Sequence, residues 1–449
     1  MFDKILIANR GEAALRIMRA ARELYIKTVA VYSIEDFNTY PVKYADEAVN
    51  IGSTSADETY LCISKIIEAA RATGAQAIHP GCGFLAENAD FVRACAENGI
   101  VFIGPSPEII ERMADRPAAR SVLRACGVPV VPGSDGAVET AEDARTVARR
   151  LGYPVVIKAL AGNGKDAVIV RSPSDIEQQY EIARAAAAVV YGSDDVYVEK
   201  LMSETRCIEM QVLGDGFGNR VALCERDCSI QLDQCKLVSE SPSPAVSSDL
   251  RRAMSVAAVK ALRALDYRGA GTIEFLLASD GRFYFTGMGT SLPIEHAVNE
   301  QVTGVDIVKE QIRIAAGEPM SCCDRGRFEP FGHAVELRVD AKNPDDGFSP
   351  CSGTIARFEA PLGPGVRVET CARTGSRVSP HFDPLVAKLV VHGQDRAEAI
   401  ARGRRALDEF VIEGTPTTVP FNRRVLDNEV FCAGEATTEF IETQMGELL

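Results

Sequence analysis

From residue 269 to 296 the chain reads GAGTIEFLLASDGRFYFTGMGTSLPIEH. Residues 272–277 and 282–285 are short runs of aliphatic and aromatic side chains, and Ser279-Asp280-Gly281 between them supplies the turn chemistry of a tight antiparallel reversal. The first run carries Glu274, and the loop after the second carries Glu295 and His296. A carboxylate inside an apolar strand is costly to bury unless a cation neutralises it. The hairpin therefore predicts a metal ion or a lysine facing Glu274.

The rest of the chain alternates in a way that sets the fold class. An apolar strand at 4–8, a turn at Asn9-Arg10-Gly11, helical spacing of Ala14, Ile17, Met18, Ala21 and Leu24, and a strand at 27–32 make a βαβ unit. A helix at 61–73 stops at Gly74, and strands follow at 77–78 and 100–103, so residues 1–113 predict an open parallel α/β sheet with ligand loops at the strand carboxyl ends. After a Pro/Gly-rich boundary at 127–136, a helix (141–151), strands (154–159, 168–170), a helix (174–187) and a strand (196–201) form a compact lobe. Strands at 209–213 and 220–225 and a helix at 250–265 lead into the hairpin. Beyond a second boundary at 317–332, strands (333–339, 366–370, 387–392) mix with helices (396–410, 437–445) in an α+β domain. For 449 residues, about 150 per domain gives roughly three folding units.

Charge and cysteine usage exclude several classes. Lys and Arg number 49 against 63 Asp and Glu, and the net charge of -14 argues against non-specific binding to nucleic acid or anionic membrane. No apolar run is long enough to span a bilayer and the chain opens without a signal-like segment, so a cytoplasmic location is expected. The 13 cysteines contain no CxxC pair and read as reduced small hydrophobes, while the five histidines lie too far apart for a short-spaced zinc motif.

Several charged positions invite a functional and a plain reading at once. Lys158 opens the loop ALAGNGK, whose Gly162 and Gly164 would let backbone N–H groups approach phosphates, although such a loop is commonly only a turn. Glu199 and Lys200 end a strand where a nucleoside could sit, or form an exposed ion pair. Lys236 follows a run of charges that fits a solvated face, and Arg338 fits a long cation snorkelling from an apolar strand.

Their order along the chain is more specific. ANRGE (8–12), HPGCGFLAEN (79–88), FIGPS (102–106), VPGSDG (131–136), CERDCS (224–229), YRGAGTIEFL (267–276), EH (295–296) and HAVELRV (333–339) together resemble biotin carboxylases of the ATP-grasp superfamily, over essentially the whole chain. The resemblance implies a Rossmann-like (pre-ATP-grasp) domain at 1–113, an ATP-grasp domain at 114–330 with a mobile lid at about 131–203, and a carboxyl-terminal biotin carboxylase domain at 331–449. It implies ATP and magnesium activating bicarbonate as carboxyphosphate, and transfer of the carboxyl group to biotin on a carrier protein. Carried over by match, Arg116, Lys158 and the glycines Gly162 and Gly164 contact phosphate. Glu199, Lys200, Leu201, Met202 and Leu276 frame the adenosine, and Glu274 binds magnesium. Lys236 lies near phosphate or bicarbonate, Glu295 is the base, and Arg338 stabilises the biotin enolate.

The chain also departs from that family's pattern. Where a second metal-binding glutamate, an asparagine and a bicarbonate-binding arginine are expected before Glu295, it has Gly287, Gly289 and Ser291, with Pro293 in place of a glutamine. The lid loop is less glycine-rich and carries Asp166; Arg116 replaces a lysine, Cys207 a histidine and Cys82 a tyrosine; and 232–235 replace an arginine- and histidine-bearing run. Losing one donor to a developing charge commonly costs about 10²- to 10³-fold in rate. The expectation from these departures is a catalytically defective subunit of an acyl-CoA carboxylase system, such as the acetyl-CoA carboxylase of fatty acid biosynthesis, with a structural or regulatory role. The alternative is a working ATP- and Mg-dependent biotin carboxylase or an ATP-grasp ligase for another acid. Expected partners are a second copy or an active biotin carboxylase, with Arg16, Arg19 and Glu23 at the interface, and a biotin carboxyl carrier protein or other carboxylase subunits.

Overall fold

The computed structural model describes residues 1–160, 167–233, 235–323 and 328–446. Lys4–Ile7, Lys27–Ser33, Ala77–His79 and Val101–Phe102 form the expected parallel sheet. A strand that carries no sequence signal, Glu47–Gly52, joins it at one edge; only Ile51 of its six residues is buried, so it lacks an apolar run. The helix Gly11–Glu23 turns Ala14, Leu15, Ile17, Met18 and Ala21 into the core beneath this sheet. The helix Ile63–Thr73 ends at Gly74, whose φ of 68° is the left-handed cap that glycine adopts without steric cost.

The lobe after residue 127 is a small antiparallel sheet ordered Val168–Val170, Val155–Ala159, Val196–Lys200. The helices Ala141–Leu151 and Ile176–Tyr191 bury Ala144, Ala148, Tyr180 and Ala183 against Val155, Ile157 and Val198. The loop holding Gly162 and Gly164 lies outside the described residues.

The largest sheet has eight strands, ordered Phe283–Gly289, Gly269–Leu277, Arg206–Gly214, Arg220–Leu232, Cys235–Ser241, His333–Asp340, Leu385–Gly393, Val366–Thr370. The carboxyl-terminal strands therefore continue the central sheet, because Cys235–Ser241 pairs with His333–Asp340. In this sheet three elements differ from the sequence expectation. The strand beginning at Arg220 runs on to Leu232 and turns back into the unpredicted strand Cys235–Ser241. Its Glu225, Arg226 and Asp227 read as a polar face, but all three are buried and paired. The second hairpin strand extends to Gly289, which places Gly287 directly across from Glu274. Among the described residues no helix is long and apolar enough to cross a membrane.

Candidate functional site

A cavity of about 270 Å³ opens where the hairpin, the Cys235–Ser241 strand and the His333–Asp340 strand meet. Glu274, Lys236, Glu295 and Arg338, distant in sequence, all line it, together with Glu209, to which the sequence assigns no role. Glu209, Lys236, Glu274 and Arg338 sit on strands paired on both sides, so these side chains converge through sheet register, while Glu295 comes from the turn just before the helix His296–Thr303.

Lys236 is the electrostatic centre. Its ammonium lies 2.6 Å from Glu209 and 3.3 Å from Glu295. Burial opposes its charge, yet Glu209 and then Glu295 outweigh it and hold its pKa well above the ordinary lysine range. Glu209 is buried to 1% exposure and would be pushed up by that burial, but Lys236 and Arg226 reverse the sign and keep it ionised. Arg226, itself fully buried, pairs with Glu209 at 2.7 Å and donates to Gln211, Asn299 and Thr272. Glu295 precedes the helix His296–Thr303, with its carboxylate facing Lys236.

Glu274 does not receive the cation its burial predicts. Among the described residues its carboxylate makes no ion pair, and the cavity lysine, Lys236, is committed to Glu209 and Glu295. Burial raises its pKa, the charge of Glu209 adds to the shift, and Lys236 and Arg116 offset it only partly. Across the strand, a Cβ built on Gly287 would stand 2.7 Å from Glu274 Oε2, so the carboxylate lies over the space a side chain at 287 would enter. Among the described residues no group of three His, Cys, Asp or Glu side chains is placed to hold a metal.

Arg338 is neither exposed nor snorkelling. Its guanidinium donates to Asp340 at 2.8 Å and to Asp383 at 2.6 Å, at 6% exposure. Ser291 Oγ donates to Glu87, as do Thr290 N and its hydroxyl, so an acidic residue of the amino-terminal segment pins the strand end next to the cavity. The cavity cysteines are inert: burial pushes the Cys82 thiol up to about 12 and that of Cys235 up to about 11. All 13 cysteines are free, as composition suggests.

The residues expected around a nucleotide lie on the small sheet and its exit, outside the lining of this cavity. Lys158 donates to Glu199 at 2.8 Å, and Arg120 reaches the other oxygen of Glu199 at 3.1 Å. The plain reading of Glu199 as half of a solvated pair with Lys200 is corrected: Glu199 is 5% exposed, and Lys200 instead donates to the Gly152 carbonyl at 2.8 Å. Leu201 and Met202 continue from that strand as partly exposed chain, and Leu276 is half-buried on the hairpin strand paired with Cys207. Arg116 begins the helix Arg116–Ala125 and acts electrostatically on both Tyr197 and Glu274. It therefore stands between the small sheet and the cavity.

Two further groups escape a sequence reading because their partners are remote. Lys388 donates to the Ile294 carbonyl at 2.9 Å and lies 3.1 Å from Glu12. Glu336, 2% exposed, has a carboxyl pushed up to about 8 by burial, which Lys388 only partly offsets. Arg16, expected on an intersubunit surface, turns inward to Glu300 at 2.9 Å and Asp306 at 2.7 Å, while Arg19 is half-buried beside Glu369 and Glu23 is exposed beside Lys309.

Comparison with known proteins agrees with this architecture. Residues 1–110 match the model for the biotin carboxylase N-terminal domain, 115–323 that for the carbamoyl-phosphate synthase L chain ATP-binding domain, and 336–443 that for the biotin carboxylase C-terminal domain. A biotin carboxylase of Nostoc sp. is 48% identical over 98% of this chain and 99% of its own length. A pyruvate carboxylase subunit of Methanothermobacter thermautotrophicus is 44% identical over 98% of this chain and 90% of its own. The biotin carboxylase domain dimer of Hydrogenobacter thermophilus 2-oxoglutarate carboxylase, solved with MgADP, ADP and bicarbonate, superposes with a TM-score of 0.96 at 42% identity, covering 100% of this chain and 99% of that one.

Proposed function

The chain belongs to the biotin carboxylase family of the ATP-grasp superfamily, and from that premise we propose that it is the biotin carboxylase component of a biotin-dependent carboxylase, using ATP to place bicarbonate's carboxyl group on biotin. The observation that carries this reading is Lys236, held between Glu209 and Glu295 in one cavity with Arg338. Glu295 takes the bicarbonate proton, because it is the carboxylate poised at the cavity wall beside a fixed positive charge. Lys236 exchanges part of its pairing with Glu295 for the anion, and its desolvated ammonium steadies charge developing on the transferred group. Arg338, fixed by Asp340 and Asp383, offers its remaining N–H groups to the biotin oxygen that becomes an enolate. Lys158 and Arg116 neutralise phosphate oxygens, and Glu199 to Met202 frame the adenosine.

The donor set also fits magnesium, with Glu274 as its single protein carboxylate and the nucleotide phosphates as its other ligands, an arrangement usual for this ion. Bound there, magnesium would neutralise phosphate charge and relieve the uncompensated carboxylate. Of the relatives named above, one is described as a subunit of pyruvate carboxylase and one as the biotin carboxylase domain dimer of a 2-oxoglutarate carboxylase, and a two-copy assembly is proposed by analogy with that dimer. The division at about 113 and 330 is proposed as the functional one, with residues 131–203 closing as a lid over nucleotide.

A second reading has its own observation. Gly287, Gly289 and Ser291 stand where the family resemblance expects a metal ligand, an asparagine and an anion-binding arginine, and they favour a catalytically defective subunit that assembles with an active biotin carboxylase. One assay separates the two. Purified protein with magnesium, ATP and free biotin should release ADP in a bicarbonate-dependent way; absence of turnover despite nucleotide binding would sink the first reading. Recovery of the chain from its native cell bound to a second, active biotin carboxylase is the outcome the second reading requires.

A further inference from the structure

We propose that Lys388 is a positioning residue for Glu295, tying the turn that carries this base to the first helix of the chain through Glu12. The inference rests on Glu295 acting as the base in the function proposed above. Lys388 sits in the middle of the Leu385–Gly393 strand between the buried Ala387 and Leu389, and its side chain is 1% exposed. An ammonium in such a place is expensive, and an apolar side chain of similar length would fill the same volume without that cost. The position carries charge because three elements meet on it. Its Nζ donates to the carbonyl of Ile294, the residue immediately before Glu295, at 2.9 Å. The same nitrogen lies 3.1 Å from Glu12, near the start of the helix Gly11–Glu23 and itself 7% exposed.

The sheet register adds a second tie. Lys388 pairs directly with Arg338 on one side and with Glu369 on the other, so the lysine that fixes the base turn is the cross-strand neighbour of the arginine assigned to biotin. At its carboxyl end the turn from Ser291 to Glu295 is otherwise held by the Lys236–Glu295 pair and by His296, whose Nδ1 lies 2.8 Å from the Pro293 carbonyl and whose backbone N–H donates to it at 3.3 Å. Without Lys388 the Ile294 carbonyl loses its charged donor, and the Glu295 carboxylate is no longer held at its distance from Lys236. The geometry of the base would thus depend on how the amino-terminal helix sits against the carboxyl-terminal strand.

Hydrogen exchange read by mass spectrometry on the full chain without nucleotide tests this independently of turnover. In Lys388→Met, peptides covering 290–297 should exchange about tenfold faster while the His333–Asp340 strand keeps its protection. Should the single variant fail to fold with Glu12 left unpaired, Glu12→Gln combined with Lys388→Met removes both charges and should show the same local acceleration. In the ATPase assay, the folded variant should lose about 10- to 100-fold in kcat with KM for ATP unchanged, since a misplaced base affects chemistry rather than nucleotide binding. Wild-type exchange across 290–297 in a folded variant would overturn the positioning role. A wild-type protein without turnover would instead defeat the proposed function, and the exchange result would still decide the role of Lys388.

Discussion

Glu274 shows how one position can be electrostatically unfinished. Its carboxylate is raised above the usual range first by burial and then by Glu209, and the residue across the strand, Gly287, offers nothing to coordinate with it. A glutamate at 287 would bring its Cβ within 2.7 Å of Glu274 Oε2, the mobile end of the side chain, so Glu274 would turn aside and two carboxylates would share one site. Like charges that close repel unless a cation joins them. Gly287→Glu should therefore lower the thermal midpoint of the metal-free protein, and magnesium should restore more stability to the variant than to the wild type. Thermal scans with and without magnesium decide the matter, and equal magnesium increments would refute it. Combined with Ser291→Arg, the change should raise bicarbonate-dependent ATP hydrolysis at least about tenfold. Glu336 gives a prediction of a different kind. Its carboxyl is raised to about 8 in the folded chain, so between the ordinary carboxylate range and that value the folded state binds a proton the unfolded state has released. Its contribution to stability is complete at acidic pH and declines as pH rises toward 8. Glu336→Gln, neutral at all pH, should flatten that decline and raise the midpoint by a few degrees at pH 8 relative to wild type; parallel pH profiles of the two proteins would contradict this.

Charge pairing across strands decides what the central sheet tolerates. Arg226 serves Glu209, Gln211, Asn299 and Thr272 from a fully buried position, so it knits three neighbouring strands and the helix after Glu295. Arg226→Met should cost about 3–5 kcal/mol, because it leaves Glu209 with Lys236 alone and strands two buried amides. Chemical denaturation should register that loss, and a change below about 1 kcal/mol would mean the network is redundant. This network also explains which elements are legible in the sequence. The hairpin is readable because Ser279-Asp280-Gly281 and the flanking apolar runs are local signals, and Gly281 adopts a φ of 81° as such a turn requires. The strand Arg220–Leu232 reads as shorter than it is because Glu225, Arg226 and Asp227 look like surface, and only their partners on other strands make them core. Glu209 carries the same clue as Glu274, a carboxylate in an apolar strand, and that clue alone would have pointed to it. Lys388 carries a similar clue in the apolar run LVAKLVV, but its partner Glu12 lies near the opposite end of the chain and no local signal names it. The motif order places Glu274, Glu295, Lys236 and Arg338 in one site, and the sheet does bring them to one cavity.

At the scale of the whole molecule the residues assigned to the nucleotide lie on the small sheet, and the helix Arg116–Ala125 stands between it and the cavity. Lys158 is neutralised by Glu199, and Arg120 of the helix Arg116–Ala125 holds the opposite oxygen of the same carboxylate, so these charges meet at Glu199 on the small sheet, outside the lining of the cavity. In the function proposed above, a nucleotide polyphosphate recruits Lys158 and Arg116 together and the lobe closes over the cavity. Ligand that binds only the folded state stabilises it by about 2.7 kcal/mol at a hundredfold excess over its dissociation constant. ATP with a chelator should therefore raise the thermal midpoint, and magnesium should raise it further through Glu274. Glu274→Gln separates the two contributions: it should keep the shift produced by ATP alone and lose the magnesium increment, because it removes the carboxylate while leaving the cations in place. A variant that retains the full increment would show that magnesium is held by phosphates alone and that Glu274 has no part in it. Loss of both shifts would mean that the Glu274 carboxylate is itself a structural requirement for nucleotide binding.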